Sequence, residues 1–591
     1  MSDDAALREQ RTRAIHLRHE LRHVGDRFYD PDAALLRQFS PFFARFTGHS
    51  VAQNSLEYAL LLLYFDDRIY GIDDAIEANR IIRRILEHQV LDRDAEWFGN
   101  FRWMTHWDRV KDRNAVSFLT PGLVHAYLRF PEKLEAETTS RLEAAFAPML
   151  AGVRGHGASW SYTNIFMLNL GSLVGLSRVL DDGSAHAEAV ACFDEWLANT
   201  SEDGFHEFNS PTYTAVSLFG LEAAWAMTPD PEFRVRLGRA MDVIWHQLAL
   251  VTLPNGFVGG ASARSYLDDI LWGSGLTSEG AHIKLGTRLR RHEGIRGEHP
   301  RMLPANSTLF DYVPPAGVRA LAAGWDRGEV EDRTVSLASR RSNVVRPGFS
   351  LGSQSFARCG GHSPPPYVVL VRDTDHPRCS VVAAPDETYS HRPCAIFGSR
   401  QRDGLVVGRL HYELPKGERA KFEADPEFIC EPRVLFGPRA EIAAVRVGNV
   451  DWAGAPVRLQ PGQPIAVSYG ELAVGVIALP VDADGQRADA DMLLAFGDDD
   501  ELRLHVVIFG GEHLAPEDEP VDVLLLVEAE MLGGPEDLLA WCERLAAREL
   551  SADDTADSPG DALHRSETLT LMPGDLARYV AGDLDLPVLA R

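Results

Sequence analysis

The sequence predicts a multi-domain protein of the α-then-β class, with an N-terminal (α/α) toroid of helical hairpins followed by a C-terminal antiparallel β-sandwich. Two observations predict this class. Before about residue 345, apolar residues recur at the spacing of amphipathic helices. After it, short β-branched runs alternate with Gly, Pro and Asp, as strands and their turns do. We therefore expect the toroid over residues 1–345, the sandwich over residues 346–550, and a linker with a C-terminal tail over residues 551–591.

Four inner helices of the toroid can be placed from residues that favour helix starts. They are expected near Asn114, near Thr163, at Ser210-Pro211 and around Arg264. In the third helix, Ser210 is expected at the N-cap and Pro211 at the first helical position. More charged segments between these helices predict the outer helices, at Glu132–Leu150, Ala185–Leu197 and Glu232–Leu250.

Polar residues mark the inner helix starts at intervals of 50, 49 and 51 residues, in the order Asn114, Asn164, Tyr213 and Arg264. A period of this length with two helices per repeat predicts stacked helical hairpins. Because the two helices of a hairpin run antiparallel, all inner helices should run parallel and bring these four side chains to one rim. The alternative is that each polar residue only caps its own helix, although Tyr and Arg are not typical N-cap residues.

The C-terminal half contains apolar or alternating runs of strand length, separated by turn-forming residues. Such runs predict the strands of an antiparallel sandwich. They include Tyr367–Arg372, Gly404–Gly408, Glu441–Val447 and Leu502–Phe509.

Charge and cysteine content exclude several classes of partner and cofactor. The 59 Lys and Arg against 86 Asp and Glu give a net charge of −27, which repels nucleic acid and anionic membranes. The six cysteines contain no CxxC pair, so neither a zinc ribbon nor a thioredoxin-type redox motif is predicted. The histidines of the strand-rich half lack the spacing of metal ligands, so no metal and no cofactor is assigned, and metal dependence stays open. The polar N-terminal segment lacks the apolar region of a secretory signal, and we expect a cytoplasmic protein. A homo-oligomer is possible.

The densest polar segment is DGFHEFNSPTY, residues 203–213, which brings His206, Glu207, Asn209 and Tyr213 into one loop and helix start. Trp and Tyr near Asn, Arg and His suit an oligo- or polysaccharide, whose ring faces stack while its hydroxyls form hydrogen bonds. Any single tryptophan is more often a core residue. The predicted substrate-binding residues are Asn114, Trp160, Glu207, Asn209, Tyr266, His106 and Trp107.

The segment DGFHEFNSPTY, together with helical hairpins followed by a β-sandwich, resembles the polysaccharide lyases of the heparinase II/III type. In that family a comparable segment supplies the catalytic tyrosine, and an asparagine at an earlier helix start contacts the substrate carboxylate. The resemblance implies these two roles for Tyr213 and Asn164.

Lyase chemistry requires the kinds of group expected at this rim. β-Elimination on a uronate removes the C5 proton, which is acidified when donors such as Asn164, Asn114 and Arg264 neutralise the carboxylate. A tyrosine can act as base and acid if nearby positive charge lowers its pKa from about 10. Arg264 and a protonated His206 are the candidates for that charge. His206 as the base, with Tyr213 as the acid, is equally compatible with the sequence.

Other functions remain open from the sequence. A glycoside hydrolase on the same toroid would use Glu207 with an aspartate partner. A non-catalytic sugar-binding protein is the second alternative, and an epimerase would begin with the same C5 proton removal. Glu207 also has a simpler possible role, binding backbone amides at a helix start. The basic segment 284–292 is expected to be solvated. The aspartate candidates are Asp108, Asp112, Asp268 and Asp269.

Overall fold

The computed structural model describes most of the chain. The described residues are 3–38, 46–65, 68–69, 72–203, 205–263, 275–289, 303–324, 328–334, 339–355, 368–372, 395–412, 429–430, 433–482, 484–488, 490–507, 509–510, 521–533, 535–548 and 575–582.

The described residues contain thirteen α-helices, eleven of them before residue 325. In chain order, α1 to α13 span Asp3–Phe28, Asn54–Phe65, Asp74–Leu86, Ala115–Arg129, Ala136–His156, Thr163–Leu180, Gly183–Asp203, Tyr213–Met227, Pro231–Val251, Leu276–Leu285, Ala316–Ala323, Pro535–Ala546 and Asp575–Ala581.

Six helices contact one another in a closed cycle, in the order α1, α2, α4, α6, α8, α10 and back to α1. Helices α3, α5, α7 and α9 connect successive members of the cycle along the chain and pack outside it. The members α4, α6 and α8 are almost entirely buried in their first three turns, because they are apolar on all sides. The alternation of inner and outer helices is what the 50-residue period predicted.

The inner helices α6 and α8 run parallel and in register. They touch at Gly171 and Gly220, where a methyl group on Gly220 would lie 2.2 Å from the Met167 carbonyl oxygen. Asn164 and Tyr213 each lie seven residues, about two turns, before the glycine of their own helix. The two helix starts therefore stand at the same height, which confirms the predicted parallel arrangement for this pair.

Helix α4 runs in the same direction as α6. The Ser117 hydroxyl donates to Asn169 Oδ1 at 2.6 Å, and further along both helices Val124 packs against Gly175. From the first contact to the second, the residue numbers increase in both helices. The two helices therefore run parallel.

Two of the four predicted inner-helix starts agree with the observed ones. Helices α4 and α6 begin within one residue of the predicted positions. Helix α8 begins at Tyr213 with Thr212 at its N-cap, so the expectation of Ser210 as N-cap and Pro211 as first helical residue was wrong by two residues. The Ser210 hydroxyl still accepts from the Tyr213 N–H at 3.0 Å. The start expected around Arg264 lies outside the described residues.

Helix α6 is also long and apolar enough to cross a membrane by length and composition. In the structure, 78% of that window is buried against neighbouring helices. Its place in the middle of the helix cycle therefore accounts for its apolar composition.

The described strands, β1 to β22, pair antiparallel throughout. They span Tyr29–Asp30, Leu35–Gln38, Gly48–Ser50, Arg68–Ile69, Ile72–Asp73, Gly328–Thr334, Ser339–Arg346, Phe349–Ser355, Val368–Arg372, Ala395–Arg402, Leu405–Tyr412, Ile429–Cys430, Arg433–Pro438, Ala444–Val447, Val450–Asp451, Val457–Leu459, Ile465–Tyr469, Leu472–Val481, Asp491–Phe496, Glu501–Val507, Phe509–Gly510 and Val521–Met531.

Besides a two-stranded sheet of β12 and β21, three larger sheets build the described β region. Their orders are β6-β7-β8-β9, then β10-β11-β22-β18-β17-β14-β15, and β13-β20-β19-β16. Apolar side chains from all three sheets meet in one core, which contains Leu351, Val406, Phe436 and Val474 among others. A helical region followed by antiparallel sheets was predicted, and it is confirmed.

Two boundaries differ from the expected ones. The last helix of the N-terminal region, α11, ends at Ala323 and β6 begins at Gly328, so residue 345 falls inside β7. The sequence of β6, GEVEDRT, has no apolar alternation, and its strand form depends on pairing with β7. The predicted C-terminal tail contains α13, which packs on α7 and α9 and buries Leu576 and Val580.

Candidate active site at the starts of α6 and α8

The loop before α8, residues 205–212 (the site loop), is joined to the start of α6 by one carboxylate. Glu207 Oε2 accepts from the Asn164 backbone N–H at 2.6 Å, and both its oxygens accept from Asn164 Nδ2 at 2.7 and 2.8 Å. Both side chains are buried. An anion accepting from the first turn of a helix is favoured by the orphan N–H groups there. Glu207 therefore fixes the Asn164 amide relative to the site loop.

The phenol of Tyr213 is carried by the first residue of α8 and is half-buried. Ser210 accepts two hydrogen bonds from this first turn of α8. Its hydroxyl accepts from the Tyr213 N–H, and its carbonyl accepts from the Thr214 N–H at 3.3 Å. The Thr214 hydroxyl in turn donates to the Glu207 carbonyl at 3.2 Å. These bonds connect the Tyr213 turn to the same loop that holds Asn164.

A second polar group lies at the start of α4. His156 Nε2 is 2.8 Å from Asn114 Oδ1, and Asn114 Nδ2 donates to the Tyr162 hydroxyl at 3.2 Å. Because an amide oxygen only accepts, Nε2 carries the imidazole proton. Burial, helped by the nearby charge of Arg113, lowers the pKa of His156 to about 4. His156 is therefore neutral near pH 7 and orients Asn114 as a donor to Tyr162.

Trp160 and His206 meet edge to face, with ring centroids 4.6 Å apart. Both are half-buried, so each keeps part of its surface towards solvent. Trp160 comes just before α6 and His206 lies in the site loop, so this contact adds a third link between the two helix starts. Of the predicted stacking residues, Trp160 is placed where an indole face is partly accessible.

Asn209 holds the site loop against a neighbouring loop. Its backbone is in the left-handed region at φ 46°, and its Nδ2 donates to the Ala261 carbonyl at 3.4 Å. The Ala263 N–H donates to the Phe208 carbonyl at 2.9 Å. Asn209 is thus a loop-shaping residue in this structure, and its predicted contact with substrate stays a prediction.

The β region supports the same loops from the other side. The Arg341 guanidinium of β7 lies 3.5 Å from the centroid of the Phe208 ring, next in sequence to Glu207. Asn343 Oδ1 accepts from the Ala261 N–H at 3.1 Å. Arg341 and Asn343 are almost completely buried. Sequence reasoning missed this support because no local pattern links a strand to a loop more than 80 residues earlier.

Several predicted site residues have other environments. Trp107 is 1% exposed and packs against Phe46 in the core of the helical region, so its indole is not available to stack on a sugar, contrary to the prediction. His106 beside it is exposed. Arg264 and Tyr266 lie outside the described residues, as do Asp268 and Asp269.

The aspartates available to a hydrolase have other partners. Asp108 is exposed and paired with Lys111 at 3.3 Å. Asp112 Oδ1 accepts from the Asn114 N–H at 2.9 Å.

Lys284 was expected on a solvated basic face, and this expectation was wrong. It is 1% exposed, 2.8 Å from Glu222 Oε2, and it donates to the carbonyls of Phe310 and Tyr312. The rim of the site therefore gains no exposed charge from it.

The structure adds His156 and Tyr162 to the residues chosen from sequence. Tyr162 belongs to the polar run before Asn164, which was a usable signal. His156 ends an outer helix, and only the packing of that helix brings it to Asn114. Within the described part of the chain, no three His, Cys, Asp or Glu side chains lie together as a metal site.

Comparisons with known proteins find distant likenesses. A family model described as a domain of unknown function (DUF8769) matches residues 16–255. No curated protein matches the chain. Among solved structures, the chondroitin AC lyase of Streptomyces coelicolor A3 in complex with chondroitin sulphate is 12% identical with a TM-score of 0.41, covering 91% of this chain and 81% of the lyase. A heparinase III gene product is 8% identical with a TM-score of 0.34, covering 81% and 77%.

Proposed function

We propose that this protein is a lyase that cleaves uronic-acid-containing oligosaccharides or polysaccharides by β-elimination, on an (α/α) toroid followed by a β-sandwich, in the manner of heparinase II/III-type enzymes. The observation that carries the proposal is the register of α6 and α8. Asn164 and Tyr213 both stand at the starts of this parallel helix pair, and His206 lies in the loop before α8.

In the proposed reaction the base removes the C5 proton of the uronate as the bond between C4 and O4 breaks. A C4–C5 double bond forms, and an acid protonates O4 of the leaving sugar. Tyr213 is proposed as the acid and base, and His206 of the site loop is proposed either to support it or to accept the proton. Asn164, held by Glu207, would donate its second amide hydrogen to the substrate carboxylate, whose neutralisation supplies most of the rate.

Glu207 favours a lyase over a hydrolase. A general acid or nucleophile must reach the glycosidic bond, but both oxygens of Glu207 are occupied by Asn164. Glu207 therefore supports the site in our proposal instead of performing the chemistry. The net charge of −27 disfavours long polyanions, so we expect short acidic oligosaccharides in the cytoplasm as substrates.

The test is a panel of uronic-acid oligosaccharides, read by ultraviolet absorbance of the unsaturated product and by product mass. Wild-type protein should give products that lack the water added by hydrolysis. Tyr213→Phe should lower kcat by about 10²-fold or more, because it removes the proton-transferring group.

Tyr127→Phe is the matched control. Tyr127 lies near the far end of α4 and donates to Glu143 at the surface, so its loss should leave turnover unchanged. Hydrolytic products, or full activity in Tyr213→Phe, would overturn the proposal. Glu207→Gln is not a discriminating variant, because it would disturb Asn164 under either mechanism.

A further inference from the structure

The first turn of α8 receives no capping hydrogen bond from the side chain of its own N-cap residue. The first N–H groups of a helix have no partner within the helix and are usually satisfied by the N-cap side chain. In α8 the N-cap residue is Thr212, and its side chain makes no capping hydrogen bond. Ser210 accepts from the N–H groups of Tyr213 and Thr214, which leaves the N–H of Ala215 to be satisfied.

Thr277, in the first turn of α10, supplies the missing partner. Its Oγ1 accepts from the Ala215 N–H at 3.2 Å and donates to the Ser210 carbonyl at 2.7 Å. Its own N–H donates to the Pro211 carbonyl at 2.8 Å. The Thr277 side chain is completely buried, so no water can replace it from outside.

The backbones of the two segments are close enough for these bonds to be specific. A methyl group on Gly275, two residues before Thr277, would lie 2.3 Å from the Pro211 carbonyl oxygen. One hydroxyl therefore ties α10 to both sides of the turn that carries Tyr213.

We propose that Thr277 is a positioning residue for Tyr213: it caps the first turn of α8 from a neighbouring helix and thereby sets the position of the phenol. This inference rests on the proposed function of Tyr213. The reason for a rate effect is geometric, since a catalytic group displaced by about 1 Å can lose about 10²-fold in rate. Thr277 does not contact the reacting atoms in this proposal.

The experiment compares Thr277→Val, which keeps the shape and removes the hydroxyl, with Thr277→Ser, which keeps the hydroxyl. With the acidic oligosaccharide that wild-type protein cleaves, Thr277→Val should lower kcat by about 10- to 100-fold with little change in KM. Thr277→Ser should retain most of the wild-type kcat. If Thr277→Val does not fold, Thr277→Ala takes its place.

A second readout does not need activity. Hydrogen–deuterium exchange of the Ala215 amide should accelerate in Thr277→Val and stay near the wild-type rate in Thr277→Ser. Wild-type turnover in Thr277→Val, equal impairment of both variants, or unchanged exchange at Ala215 would overturn the inference. If no glycan is cleaved by wild-type protein, the proposed function fails, and the exchange rates alone decide whether Thr277 fixes this turn.

Discussion

At the scale of single residues, the buried carboxylate of Glu207 holds Asn164 in place. Its carboxylate accepts from the backbone and the side chain of Asn164, and it is buried while doing so. Hydrogen bonds to a charged acceptor are stronger than neutral ones, and a buried donor left without a partner is costly. The position of Asn164 therefore depends on the charge of Glu207 as well as its shape.

Glu207→Gln should lower the free energy of unfolding by about 1–3 kcal/mol. The amide offers one acceptor oxygen, and its NH₂ group faces the N–H donors of Asn164. Urea unfolding measures the change. Glu188→Gln serves as the control, because Glu188 forms a partly exposed pair with Arg154 and should change stability by no more than about 0.5 kcal/mol. Equal effects in the two variants would contradict the role given to Glu207.

At the scale of elements, the contact between α6 and α8 decides how close the two helix starts can come. Gly171 and Gly220 let the backbones touch, which leaves no space for a side chain at either position. Since interiors are close-packed, an added methyl group must move a backbone segment.

Gly220→Ala should therefore destabilise the protein by about 1–3 kcal/mol, and should also reduce turnover because the helix starts separate. Gly155→Ala is the matched control: Gly155 lies near the end of α5 with nothing within 4 Å of an added methyl group. It should be neutral or stabilising by up to about 1 kcal/mol, since alanine favours the helix. Thermal unfolding and kcat of both variants test this, and a tolerated Gly220→Ala would exclude tight α6–α8 packing.

At the scale of the whole molecule, one buried ion pair helps to close the cycle of helices. Glu222 on α8 and Lys284 on α10 form it, and Lys284 also binds the carbonyls of Phe310 and Tyr312. Gln10 of α1 donates to that same Tyr312 carbonyl. The pair thus connects the last inner helices to the first.

Burial raises the pKa of Glu222 to about 7, although Lys284 acts in the opposite direction. A carboxyl group with a raised pKa binds its proton more tightly in the folded state, so its contribution to stability is complete below its unfolded pKa and is lost as the pH rises to about 7. Relative to Glu222→Gln, the wild-type free energy of unfolding should fall as the pH rises from about 4.5 towards 7. Urea unfolding at several pH values measures it, and parallel pH curves for the two proteins would refute it.

Much of the fold follows from local patterns in the sequence. Apolar periodicity and turn residues depend only on neighbours along the chain. They therefore predicted a helical region followed by a region of strands, and they also predicted where α4 and α6 begin. The regular spacing of Asn114, Asn164 and Tyr213 was enough to predict parallel inner helices, because consecutive hairpin helices must alternate in direction.

Only the tertiary structure decided which side chains meet. The spacing along the sequence determines where a residue lies along its helix, but not which side chain it contacts. Those contacts depend on packing between segments that are far apart in sequence. Glu207 therefore binds Asn164, Thr277 caps another helix, Trp107 enters the core, and Lys284 is buried beside Glu222. None of these outcomes has a local signature, because each depends on which apolar surfaces are covered when the helices pack against one another.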